Sequence, residues 1–231
     1  MSAPMIPRLV LFDCDGTLVD SQAGIVTSMQ TAFLSFGLIA PPPEGVKRVV
    51  GLSLDVAVRR LAPELGQSDA LRVAALYKET FRNLRLSGEL QEPLYEGIKA
   101  AVLELDRPDT ILGVATGKSR RGLFAVLERH GMRARFQTLQ TADDVAAGKP
   151  APDMCLKACA ETGIEPAATV VIGDTTFDMQ MARRAGATPV GVAWGYHGVD
   201  ELRDAGAAET VAHPRDIALA VQRILPGEDA A

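Results

Sequence analysis

Residues 8–12 read Arg-Leu-Val-Leu-Phe, and this run stops abruptly on Asp13-Cys14-Asp15-Gly16. A strand without polar alternation leaves no face for water, so it belongs inside a parallel sheet covered on both sides. Three further runs repeat the pattern: 110–115 ending at Thr116, 169–172 ending at Gly173-Asp174, and 188–193. Residues 136–140 and 209–212 are weaker strand candidates. Helical spacing fills the gaps. Ile98, Val102 and Leu105 share a face, as do Leu123, Val126 and Leu127 before Gly131. Pro152-Asp153 opens a helix to Glu161 with Gly163 beyond it, and a helix from Phe177 to Ala185 ends at Gly186. Glycine is a common helix stop. Strand and helix therefore alternate from about residue 96 onward, the pattern of a doubly wound α/β fold with a mostly parallel sheet.

Residues 21–92 break the alternation, with helical patterns and no convincing strand. Ile25, Met29, Ala32 and Phe36 share a face before Gly37. Leu54, Ala57, Val58 and Leu61 follow Ser53, and Leu71, Ala74, Ala75, Lys78 and Phe81 follow Ser68, with Gly88 as a stop. Ser53 and Ser68 are the expected N-caps, and Pro41-Pro42-Pro43 is a rigid connector. One strand precedes this stretch and the others follow it. The expected organisation is a Rossmann-like core, residues 1–20 and 93–231, with a helical cap inserted at 21–92. The ends, Met1–Pro7 and Pro226–Ala231, are expected to be mobile.

Composition narrows the function classes. The 231 residues carry 24 Lys+Arg against 29 Asp+Glu, a formal net charge of −5, which argues against a nucleic-acid module. No apolar run reaches the roughly 18 residues that suggest a membrane span, and Met1–Arg8 lacks the apolar stretch of a signal peptide. Cys14, Cys155 and Cys159 fit the reduced thiols of a cytoplasmic protein better than a disulfide scaffold. The i,i+4 pair Cys155 and Cys159 has no nearby His or further Cys, so it reads as packing and not as a metal site. A monomer or homodimer is expected.

In open α/β sheets, ligands bind outside the carboxyl ends of the strands. There the sequence places Asp13, Asp15, Thr116 and Asp174, with Asp178 one helical turn further on and Lys149 before the helix near Asp153. Any one of these aspartates alone reads best as a cap or turn residue, as Asp20 and Asp153 do. Four carboxylates in one crevice repel one another and call for protonation or a cation. Oxygen ligands without His or Cys favour a hard cation, Mg²⁺. Lys149, the Thr116 hydroxyl and the backbone N–H groups of Gly117 and Lys118 suit a phosphate dianion. A carboxylate beside a metal-bound phosphorus can act as nucleophile. A second carboxyl two residues on can protonate the leaving oxygen and then activate water. Crowding by the other acids is expected to keep that second group, Asp15, protonated.

The motifs resemble those of the haloacid dehalogenase-like hydrolase superfamily. Residues 13–21, Asp-Cys-Asp-Gly-Thr-Leu-Val-Asp-Ser, resemble its first motif; 115–118, Ala-Thr-Gly-Lys, its second; 148–153, Gly-Lys-Pro-Ala-Pro-Asp, its third; and 171–178, Val-Ile-Gly-Asp-Thr-Thr-Phe-Asp, its fourth. The resemblance implies that Asp13 is the nucleophile and a Mg²⁺ ligand. It implies that Asp15 is the general acid/base and binds the metal through its backbone carbonyl. Thr116 and Lys149 then hold the phosphoryl group, Asp174 binds the metal, and Asp178 positions its waters or Lys149. The inserted helices are similar to a type-1 cap, and the nearest group is similar to phosphoglycolate phosphatases. The expected activity is hydrolysis of a small phosphorylated metabolite. Asp15 disfavours dehalogenase and phosphonate-hydrolase chemistry, while phosphomutase and pyrophosphatase activities stay open; the intact acid pair and Lys149 argue against a non-catalytic binding protein on the same scaffold.

Several other features are read more plainly. Gly117-Lys118-Ser119 does not make a P-loop, because only three residues separate Gly113 from Gly117 where the template needs four. Lys118 is expected to be an exposed residue at a helix start. Cys14 alternates away from Asp13 and Asp15 and should pack in the core. Trp194-Gly195-Tyr196-His197 follows a strand and stands near the crevice mouth by the strand-end rule. Within 21–92, Lys47, Arg48 and Ser53 are the residues expected to face the substrate.

Overall fold

The computed structural model describes residues 7–225. The expectation of mobile ends falls outside these residues, Pro7 excepted. Six strands are described: β1 (Arg8–Phe12), β2 (Thr110–Thr116), β3 (Thr138–Thr141), β4 (Thr169–Gly173), β5 (Thr188–Val192) and β6 (Glu209–Val211). They pair in parallel in the order β3-β2-β1-β4-β5-β6. The two weaker strand candidates are thus real strands at the two edges. The chain winds outward from β1 to β3 on one side and from β4 to β6 on the other. The β1/β4 pair is therefore the switch point where a crevice opens at the carboxyl ends.

Alternate strand residues point to opposite faces, and each face has its own core. Val10, Phe12, Leu112, Val114 and Ile172 pack against α5 (Ile98–Leu105), α6 (Arg120–Arg129) and α10 (Ile217–Ile224). Leu9, Leu11 and Val171 pack against α7 (Asp153–Thr162) and α8 (Thr176–Ala185). Each fully buried side chain of this kind is worth roughly 1.5–3 kcal/mol. The double cover explains why the strands have no polar alternation. Cys14 joins the first face and Cys155 and Cys159 the second, all as buried free thiols. A short helix, α9 (Val199–Asp204), precedes β6.

Between β1 and α5 lie four helices and no strand: α1 (Gln22–Ser35), α2 (Pro43–Lys47), α3 (Leu54–Leu61) and α4 (Gln67–Leu86). They enclose a third apolar cluster built around Ile25, Met29, Phe33, Val58, Val73 and Phe81. Two cap assignments need correction. Ser53 occupies the N-cap position of α3 with extended backbone, but its hydroxyl makes no capping bond. Ser68 lies inside α4, whose N-cap is Gly66. The chain enters and leaves this helical stretch side by side. Asp20 N donates to Pro93 O at 2.9 Å, and Tyr95 N donates to Leu18 O at 3.1 Å.

Candidate active site

Asp13 leaves the end of β1 and Asp174 the end of β4, so adjacent parallel strands bring the two together. Asp178 sits in the first turn of α8 and joins Thr175 in a reciprocal capping box. Asp178 is thus a cap residue that also stands beside Asp13 and Asp174. Asp178 Oδ2 accepts from Thr175 N and Oγ1, while Oδ1 faces Lys149. One oxygen from each of Asp13, Asp174 and Asp178 can lie within 4.8 Å of the others, and all three residues are buried.

Lys149 Nζ enters this cluster at 2.8 Å from Asp13 Oδ1 and 2.6 Å from Asp178 Oδ1. These ion pairs lack the angles of hydrogen bonds, and both Asp13 oxygens, Asp178 Oδ1 and Lys149 Nζ are buried without a hydrogen-bond partner. When all three are ionised, three carboxylates against one ammonium leave two negative charges at a buried site. Orphaned hard oxygens with that charge fit a divalent cation such as Mg²⁺. Without a cation, burial pushes Asp13 up to about 6, with Lys149 opposing and Asp178 adding to the rise. Burial, then Asp13 and Asp178, raise Asp174 well above the usual carboxylate range. Burial pulls the Lys149 ammonium down, but Asp13 and Asp178 outweigh it and hold its pKa above the ordinary value.

Asp174 is clamped by residues that the sequence reading did not assign to the site. Thr17 Oγ1 donates to Oδ1 at 2.8 Å, and Tyr196 N donates to Oδ2 at 2.9 Å. Gly16, at φ 88°, and Gly195 press against the same carboxylate: a Cβ would lie 2.2 Å from Asp174 Oδ2 at Gly16 and 2.1 Å from Asp174 Cβ at Gly195. The 194–197 segment thus touches the crevice through backbone. His197 Nδ1 accepts from Thr176 N at 3.1 Å, at the first residue of α8.

Asp15 stands apart from the three clustered acids, so four aspartates do not form one ligand set. Its Oδ1 accepts from Lys118 Nζ at 2.7 Å and from Ser21 Oγ at 2.5 Å. The crowding expected around Asp15 falls instead on Asp13 and Asp174. Lys118 is not exposed: its side chain is 7% accessible and also pairs with buried Glu92 at 3.1 Å. Burial lowers its ammonium's pKa, but Asp15 and Glu92 outweigh this and raise it. Thr116, the last residue of β2, is buried, and its Oγ1 accepts from Lys118 N at 3.2 Å.

A cavity of about 420 Å³ opens over this edge, with Asp13, Asp15, Thr116 and Gly117 at its base and Ile25, Met29, Val50, Tyr77 and Phe81 among its apolar walls. Ser53 lines it, but Lys47 and Arg48 do not. Lys47 Nζ pairs with Glu44 at 2.8 Å. Arg48 makes a two-pronged contact to Glu201 of α9, with Nη1 at 2.7 Å from Oε2. The expectation that Lys47 and Arg48 face the substrate is therefore corrected: local and surface carboxylates draw them away.

The family described as "Haloacid dehalogenase-like hydrolase" matches over residues 10–192. The chain is 31% identical over 220 residues to the N-acetylmuramic acid 6-phosphate phosphatase of Pseudomonas aeruginosa, covering 94% of this chain and 96% of that one. It is 29% identical to phosphoglycolate phosphatase 1 of the same organism, covering 87% and 79%. A solved hydrolase from Pseudomonas syringae superposes with a TM-score of 0.83 at 27% identity, covering 94% and 99%.

Proposed function

The chain belongs to the haloacid dehalogenase-like hydrolases and is a phosphoric monoester hydrolase similar to the phosphoglycolate phosphatases, and from that premise we propose that it hydrolyses a small phosphorylated metabolite through an aspartyl-phosphate formed on Asp13. The observation that carries this reading is the buried Asp13 carboxylate at the base of the cavity, with Lys149 against it and Asp15 beside it.

Asp13 attacks phosphorus, and the bond to the ester oxygen breaks. Asp15 gives that oxygen its proton and then takes one from the water that opens the aspartyl-phosphate. Lys149 and the Thr116 hydroxyl hold the phosphoryl oxygens, and Gly117 contributes backbone N–H at the same rim. Asp13, Asp174 and Asp178 would hold Mg²⁺, with the Asp15 carbonyl as a further ligand by family resemblance. When bound, the ion supplies positive charge against the phosphoryl oxygens. Residues 21–92 act as a cap that shields the reaction from bulk water.

The cavity also bears on the leaving group. Its volume, about 420 Å³, falls in the range of roughly 300–1,000 Å³ typical of pockets for sizeable ligands. That size favours a phosphomonoester with a sugar-sized organic body over a two-carbon acid. Phosphate release with Mg²⁺ from a panel running from phosphoglycolate to amino-sugar phosphates tests this reading. Turnover led by the larger monoesters, and abolished by Asp13→Asn, is the expected result.

A further inference from the structure

Lys118 lies between two buried carboxylates, Asp15 at 2.7 Å and Glu92 at 3.1 Å, and Glu92 also accepts from Arg85 Nη2 of α4 at 3.0 Å. Two acids and two basic side chains alternate in a chain running from the core into the helical insertion. The Lys118 ammonium also lies 5.0 Å from the centre of the Phe81 ring. It is fully engaged and therefore a poor phosphate ligand. Both donors to Asp15, Lys118 Nζ and Ser21 Oγ, fall on the same oxygen, Oδ1. Oδ2 carries neither contact, and Asp15 lines the cavity. Ser21 starts α1, yet its hydroxyl makes no capping bond to that helix.

We infer that Lys118 is a positioning residue for Asp15, anchored by Glu92, that pins Oδ1 and leaves Oδ2 to meet the leaving oxygen. The inference rests on the reading of Asp15 as general acid/base. In that step the P–O bond breaks with its electron pair on the ester oxygen. Asp15 enters the step protonated on Oδ2 and delivers that proton to the ester oxygen; the resulting carboxylate takes a proton from the attacking water, which restores it. A carboxyl free to rotate loses alignment with the leaving group, and alignment is a large part of what a fixed acid contributes.

The test separates positioning from general structural support through leaving-group dependence of kcat/KM. The probes are p-nitrophenyl phosphate, whose leaving group needs little protonation, and the alkyl ester turned over fastest among phosphoglycolate, glycerol phosphate and glucose 6-phosphate. Lys118→Met should lower kcat/KM for the alkyl ester by about 100-fold and for the aryl ester by less than about threefold, as loss of acid assistance requires. Lys118→Arg should recover part of the alkyl activity, and Glu92→Gln should show the same selectivity more weakly. Equal losses on both esters, or no loss on the alkyl ester, would overturn the inference. If Lys118→Met does not unfold cooperatively, Lys118→Arg and Glu92→Gln decide by the same criterion. Asp13→Asn run alongside must be inactive on both esters. Activity in that variant overturns the aspartyl-phosphate reading itself, whereas an inactive Asp13→Asn with non-selective Lys118 variants overturns only the role of Lys118.

Discussion

Lys149 Nζ lies 2.8 Å from Asp13 Oδ1, with both side chains at 1% exposure or less. A buried charge is tolerable only with a partner, so removing either side strands the other. Lys149→Met leaves three buried carboxylates without a cationic side chain among them. It should cost about 3–5 kcal/mol of stability in metal-free protein and abolish turnover. Urea unfolding checks the first effect and phosphate release the second; unchanged stability would contradict the geometry.

The raised carboxylates give a pH prediction with a definite sign. Asp13 is lifted from 3.8 to about 6 in the folded state. Between those values the folded chain binds more protons than the unfolded chain, so metal-free stability falls as pH rises through that window. Mg²⁺ binds the ionised carboxylates and should therefore raise Tm more at pH 7.5 than at pH 5. Melts with Mg²⁺ or EDTA at the two pH values test this. An equal Tm shift at both would count against Asp13 as a ligand.

The backbone clamp on Asp174 predicts a defect at a residue that bears no side chain. A Cβ at Gly195 would lie 2.1 Å from Asp174 Cβ. Gly195→Ala should displace Asp174 and raise the Mg²⁺ concentration needed for half-maximal activity by about tenfold, the lower end of the effect of losing a group that orients a metal ligand. A Mg²⁺ titration of activity reads the shift directly.

Cavity placement separates two residues of the helical segment. Arg48 reaches Glu201 at the surface, while Phe81 lines the cavity wall. Arg48→Ala should leave KM for the best substrate within about twofold, since exposed pairs contribute little. Phe81→Ala should raise KM by about tenfold, the scale of lost apolar contact in a substrate pocket. A larger effect at Arg48 would place the substrate elsewhere.

The legible parts of this protein are those with local patterns. Apolar runs marked β1, β2, β4 and β5 because burial on both faces removes alternation, and the acids at strand ends marked the crevice. Less legible were features set by contacts between distant segments. Lys118 looks exposed in sequence because its partners, Asp15 and Glu92, are 103 and 26 positions away. Glu92 sits between Gln91 and Pro93 with no pattern to mark it. Thr17 and Ser21 stood inside the first motif, yet their roles depend on where β4 and Asp15 lie in space. Lys47 and Arg48 look substrate-facing by their place in the inserted segment and by charge, and neither reports the direction of a side chain.

A covalent phosphoryl group on Asp13 separates this mechanism from direct attack by water. The most direct measurement is acid quench of the enzyme during turnover, followed by mass spectrometry of the peptide spanning residues 9–18. Asp15→Asn, turned over with p-nitrophenyl phosphate, whose leaving group needs little protonation, serves as the variant that still forms the intermediate but breaks it down slowly. A phosphoryl adduct on Asp13 should accumulate in Asp15→Asn and be absent in Asp13→Asn. An adduct on another residue, or phosphate release by Asp13→Asn, would contradict it.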